Sequence, residues 1–161
     1  MPLSLQQKIQ DPRQGVYLVG TTPPKAGTDA AKTERIASKL LKRLNEIEFD
    51  GLVVYDIQDE SARVAEQRPF PFHQTLDPRH YGQLLRQLAQ RDVITYKSVA
   101  QRDAADFRQW LDETSDQFQL QNLVLVGSPS SNGTIRLSLT EAYQQLAEHP
   151  SPFYLGGVAI A

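Results

Sequence analysis

Short apolar runs alternate along the chain with stretches whose hydrophobic residues recur every three or four positions. The runs are Gly15–Thr21 (GVYLVGT), Gly51–Tyr55 (GLVVY), Asp92–Lys97 (DVITYK), Gln121–Gly127 (QNLVLVG) and Phe153–Ile160. Each is almost continuously apolar, the pattern of strands buried on both faces of a parallel sheet. Four helices are predicted between them. In the first, Ile36, Leu40, Leu44 and Ile47 share one face while Lys39, Lys42 and Arg43 stay in water. The second opens on Asp77-Pro78, a capping carboxylate followed by the residue best suited to the first helical position, and is expected to bury Tyr81, Leu84, Leu85 and Leu88. The third carries Phe107, Trp110 and Leu111. The fourth opens on the capping box Ser138-Leu-Thr-Glu141 and is expected to bury Ala142, Tyr143 and Leu146.

Strand starts recur every ~30–40 residues, the pitch of βαβ units. Five strands and four helices in strict alternation predict an α/β fold, a parallel sheet joined by right-handed crossovers. Residues 1–161 read as one domain, with no linker or low-complexity segment.

Composition narrows the chemistry. The chain has no cysteine, which excludes disulfides, thiolate metal sites and a cysteine nucleophile. Its 17 Lys+Arg against 19 Asp+Glu leave a net charge of -2, no footprint for nucleic acid or an anionic membrane. The start lacks a basic stretch followed by an apolar one, and no apolar run approaches the ~20 residues of a spanning helix. A cytoplasmic protein is expected.

In parallel α/β folds, ligands bind at the carboxyl ends of the strands, where loops and helix N-termini converge. That rule selects Thr21, Thr22 and Lys25 after the first strand, Asp56, Asp59 and Glu60 after the second, and Lys97 at the end of the third. It also selects Gly127, Ser128 and Ser130 after the fourth. Asp56 is the carboxylate expected to act as acid or base. Asp59 and Glu60 either join it in a hard-cation site or cap the next helix beside Arg63. Lys97 either pairs with Asp56, grips an anion, or snorkels at the strand end. The Gly127–Gly133 loop suits phosphate binding through its amides but matches no established glycine-rich motif. Arg68–Phe72 alternates prolines with phenylalanines, and either stacks on a flat ligand or covers the loop end of the sheet. His73, His80 and His149 lack metal-ligand spacing, and solvated roles are expected of them; no metal is expected. No serine–histidine–acid pattern occurs.

Three of these segments, in this order, resemble the methylenetetrahydrofolate reductase family, flavin-dependent (β/α)8 barrels of folate one-carbon metabolism. They are Pro23-Pro24-Lys25 after strand one, Leu123-Val-Leu-Val-Gly-Ser-Pro129, and Phe153-Tyr-Leu-Gly-Gly-Val-Ala-Ile160. The resemblance implies a TIM-barrel-like fold, a folate-like ligand and FAD, with Thr21, Thr22, Lys25, Tyr55, Gly127, Ser128 and Ser130 around the cofactor and Asp56 and Lys97 in catalysis. Three departures count against a reductase. The family's proton-donating glutamate is Gly20 here, the Arg-Gly-Asp ending strand four reads Val126-Gly127-Ser128, and the tyrosine–glycine–alanine flavin loop reads Tyr55-Asp56-Ile57-Gln58.

Two functions follow as expectations. One is a flavin-linked or one-carbon oxidoreductase with an altered site. The other is a catalytically inactive module that binds a ligand or partner on the same scaffold. A doubly wound nucleotide binder is disfavoured, because Pro23 and Pro24 remove amide donors where a phosphate cradle would need them. A complete (β/α)8 barrel takes ~200 residues or more, so the 161 residues are expected to be part of one, incomplete at the C-terminus. Either self-association or a missing second part of the barrel would then cover the edge of the last strand.

Overall fold

Each strand pairs in parallel with the one before it in sequence, so the sheet order is β1-β2-β3-β4-β5. The computed structural model describes residues 3–58, 73–127 and 135–159. The strands are β1 (Leu18–Thr21), β2 (Gly51–Val54), β3 (Asp92–Ser98), β4 (Asn122–Val126) and β5 (Tyr154–Gly156). The helices are α1 (Leu5–Gln10), α2 (Ala30–Leu44), α3 (Pro78–Ala89), α4 (Ala104–Asp116) and α5 (Leu139–Ala147). The fold is α/β, a barrel-like arc of five parallel strands.

Crossovers of one hand between sequential strands place every connecting helix on one face. Strand residues therefore alternate between a helix-packed face and an inner face. Leu52, Val54 and Val93 pack with Ala37 and Leu44 of α2 and Tyr81 and Leu85 of α3. Leu123 and Leu125 pack with Phe107, Trp110 and Leu111 of α4 and with Ala142 and Leu146 of α5. Leu52, Val54, Leu85, Phe107 and Leu111 are wholly buried, each worth about 1.5–3 kcal/mol in burial. The inner face carries Leu18, Gly20, Val53, Ile94, Tyr96 and Val124, paired in register as Leu18 with Gly51, Gly20 with Val53, Val53 with Ile94, and Tyr96 with Val124.

Burial on both faces, as the apolar runs predicted, is therefore corrected. It holds for β2 and for all but the last residue of β4, whereas β3 alternates half-buried with buried positions and β1 and β5 are largely exposed. Leu18 is 41% exposed and Leu155 38%. Both end strands pair along one edge only among the described residues. β5 is also shorter than its apolar run, and Val158 beyond it is exposed.

The helix pattern needs two corrections. In α2 the buried positions are Thr33, Ala37 and Leu44, with Leu40 and Leu41 partly covered; Ile36 is exposed and Ile47 lies beyond the helix end. In α3, Tyr81 and Leu85 are buried but Leu88 faces solvent. The expected start signals form: Asp77 accepts from the Arg79 N–H with Pro78 at the first helical position, and Ser138 and Glu141 close their capping box.

A fifth helix, α1, lies across the amino ends of the strands. Ser4 and Gln7 close a capping box at its start. The Leu5 N–H donates to Asp92 Oδ2 at 2.9 Å, Gln6 Nε2 to Asn122 Oδ1 at 3.0 Å, and Lys8 pairs with Asp50. Leu5 itself is buried against Gly51.

Candidate functional site

The carboxyl end of the sheet gathers the candidate residues, and strand alternation decides which way each one faces. Tyr55 continues β2, its N–H donating to the Thr21 carbonyl at 3.0 Å. It falls on the inner face with Val53 and meets Tyr96 edge-on, with ring centroids 5.0 Å apart at 76°. Burial, together with the neighbouring Tyr55 and Tyr143 hydroxyls, pushes the Tyr96 phenol above its ordinary range, so it remains a hydrogen-bond donor at neutral pH. Thr22 is exposed, and Ser98 ends β3 half-buried on the face of Tyr96.

Asp56 falls on the opposite, helix-packed side. Its Oδ2 accepts from the Ser98 N–H at 2.8 Å and lies 3.6 Å from Lys97 Nζ, while Oδ1 accepts from Gln58 Nε2 at 2.7 Å. The Lys97 ammonium sits 5.4 Å from the Trp110 ring centroid. Burial pushes the Lys97 ammonium below its ordinary range, against the pull of Asp56. The structure thus joins the two residues expected in catalysis, but to each other and away from the inner face.

Thr21 also turns toward the helices, beside the Tyr81 phenol, whose own range is raised by burial and lowered in part by that threonine. Pro23 and Pro24 are buried, and the turn after them is zipped to the segment before α3: Ala26 N–H donates to the Gln74 carbonyl and Leu76 N–H to that of Pro24. Lys25 bridges Thr75 through its backbone and stays exposed. Gly127 follows β4 at the same end, half-buried. Asp59, Glu60, Arg63, Arg68–Phe72, Ser128 and Ser130 lie outside the described residues.

No family model matches the chain, and no curated protein matches it either. Among solved structures it is similar to an uncharacterised protein from Clostridium thermocellum, with a TM-score of 0.70 and 27% identity. The match covers 95% of this chain and 46% of that one, so this chain spans less than half of its length. That protein binds two copies of 5-methyl-5,6,7,8-tetrahydrofolic acid.

The residues do not fit the flavin reduction that the reductase resemblance implies. Gly20 stands in place of the proton donor, and the Tyr55 ring fills the space a side chain there would enter. Asp56 stands where the flavin loop has glycine, with its carboxylate already held by Ser98, Gln58 and Lys97. No step through a flavin follows from this arrangement. Among the described residues, no three His, Asp or Glu side chains come together as a metal site, and no helix is long and apolar enough to cross a membrane.

Tyr96 and Ser98 lie in the strand-three end that the sequence selects, but no role is assigned to them there. The signal for both was present: two-residue alternation back from the strand end puts Ser98, Tyr96 and Ile94 on one face. His149, expected to be solvated, is buried instead. Its Nε2 lies 2.9 Å from Asp112 Oδ1 and its Nδ1 accepts from the Ser151 N–H at 3.1 Å. His80 and His73 are exposed, with His80 edge-on to Phe118. A cavity of about 1310 Å³ opens at the amino ends of the strands between α1 and the end of α3, bordered by Lys8, Asp50, Arg86 and Arg91. It is at the opposite end from the convergent loops.

Proposed function

We propose that this chain is a binding domain for a reduced folate, taking the ligand at the carboxyl ends of its strands without reducing it. The observation that carries this reading is the inner-face surface of Tyr55 and Tyr96 standing where the resemblance calls for an acid. A carboxylic acid in that place would protonate the ligand, and general acid catalysis is worth ~10²–10⁴-fold in rate. Two phenols offer a flat apolar surface and hydrogen bonds instead.

The structural likeness to a protein that binds 5-methyl-5,6,7,8-tetrahydrofolic acid supports the same ligand class. Thr22 and Ser98 supply hydroxyls beside the aromatic pair, and Lys25 supplies an exposed cation for a ligand carboxylate. Thr21 and Gly127 shape the rim. Asp56 and Lys97 act as a strut between the ends of β2 and β3, and neither is assigned a proton-transfer step.

Isothermal titration with 5-methyltetrahydrofolate tests the reading. Saturable binding is expected, with no conversion of methylenetetrahydrofolate to the methyl form when FAD and a nicotinamide hydride donor are added. No binding would sink the folate assignment, and steady-state turnover would restore the oxidoreductase reading.

A further inference from the structure

Gly20 omits a side chain where there is no room for one. An ideal Cβ there would lie 2.6 Å from Tyr55 Oη, 2.8 Å from its Cε2 and 3.1 Å from its Cζ. Gly27 is the glycine with positive φ among the described residues, so at Gly20 the strand uses the missing side chain rather than torsional freedom. The Tyr55 ring can therefore lie over β1. Its other side meets Tyr96 at a centroid distance of 5.0 Å. Packed on two sides, Tyr55 is nevertheless 37% exposed. An aromatic ring held in place and still open to solvent has little freedom left to lose when a ligand stacks on it.

We infer that Tyr55 is the residue on which the ligand's pterin ring rests, and that Gly20 is a positioning residue holding Tyr55 there. The inference rests on the folate-binding reading and adds which part of the ligand the aromatic surface meets. One glycine then has two consequences: it removes the position of an acid and makes room for a stacking surface. The p-aminobenzoylglutamate end of the ligand lies away from Tyr55.

The test is titration of the full chain with 5-methyltetrahydrofolate, 6-methyltetrahydropterin and p-aminobenzoylglutamate. Tyr55→Leu is expected to weaken both pterin-containing probes by roughly ten-fold or more, and to leave p-aminobenzoylglutamate unchanged. Tyr55→Phe keeps the ring and is expected to stay within about two-fold of wild type, because stacking needs the ring face and not the hydroxyl. Gly20→Ala pushes the tyrosine aside and weakens the same two probes, but has no further effect in the Tyr55→Leu background, the mark of acting through that residue. Should Gly20→Ala unfold by circular dichroism, the leucine variant decides alone. Wild type binding the folate with Tyr55→Leu unchanged, or additive Gly20 and Tyr55 effects, overturns the inference and leaves the binding reading intact. Wild type binding none of the three probes removes both.

Discussion

Lys97 Nζ lies 3.6 Å from Asp56 Oδ2, with the two side chains only 7% and 6% exposed. Two opposite charges share a site between the ends of β2 and β3, closed off on one side by Trp110. Removing one leaves the other buried without its counter-charge, which costs about 3–5 kcal/mol. Lys97→Met and Asp56→Leu should each lower the unfolding free energy, read from urea denaturation, by that much. The double variant should lie closer to wild type than either single, since no lone charge remains. An unchanged midpoint in Lys97→Met would show that the pair does not brace the fold.

The same lysine gives a pH signature. Burial is the main cause holding Lys97 below its ordinary range, with Asp56 pulling the other way. Below the unfolded value of about 10.4, and above the depressed folded one, the unfolded chain binds more protons. The Lys97 contribution to stability therefore rises with pH across that alkaline window. Tyr81 works oppositely. Its phenol is raised by burial, so its contribution is full at lower pH and is lost as pH climbs through the folded value. The difference in unfolding free energy between wild type and Lys97→Met isolates the lysine and should grow as pH rises toward the unfolded value of about 10.4. A flat or falling difference contradicts the assignment.

Thr95 offers a stabilising change. Its side chain is wholly buried opposite Gly82 of α3, and its hydroxyl has no hydrogen-bond partner. A buried hydroxyl left unpaired costs about 1–3 kcal/mol. Thr95→Val keeps the branched shape and removes the polar atom. It should stabilise the protein by about 1 kcal/mol, read as a higher melting temperature, and a lower one would point to a bond to water at that hydroxyl.

Arg79 joins α3 to α4 in a way lysine cannot copy. Its guanidinium binds Asp77 with Nε and Nη2, and donates from Nη1 to the Trp110 carbonyl, Glu113 and Thr114. The same group lies 4.9 Å from the Trp110 ring centroid and 4.7 Å from that of Phe118. Arg79→Lys retains the charge but loses the planar fork. A loss of about 2–4 kcal/mol is expected, and urea denaturation with a loss under 0.5 kcal/mol would refute the role given to the fork.

The alternation of strands and helices and the starts of α3 and α5 could be read from the chain because each depends on a few neighbouring residues. Asp77-Pro78 and Ser138–Glu141 are local devices, and they form as expected. Alternation needed more care. β3 reads as an apolar run, yet Lys97 falls on its buried side and Tyr96 on its inner side. A run of apolar residues cannot say which face a helix will cover. The Asp56–Ser98 hydrogen bond beside the Asp56–Lys97 contact spans 42 residues of sequence, and both depend on strand register rather than on motif. The edge-on packing of Tyr55 and Tyr96 is equally a property of register. α1 was passed over although Ser4-Leu-Gln-Gln7 is itself a capping-box sequence, because six residues are too few to show a hydrophobic stripe.

That short helix bears on the order in which the molecule can be assembled. Leu5 finds its acceptor 87 residues downstream at Asp92, and Gln6 finds its own 116 residues downstream at Asn122. This segment has no place to dock until the third and fourth strands are in place. Isolated six-residue helices are marginal in water, and contacts of long sequence separation form late. Leu5–Gln10 therefore becomes native among the last, fastening the strands after the sheet has formed.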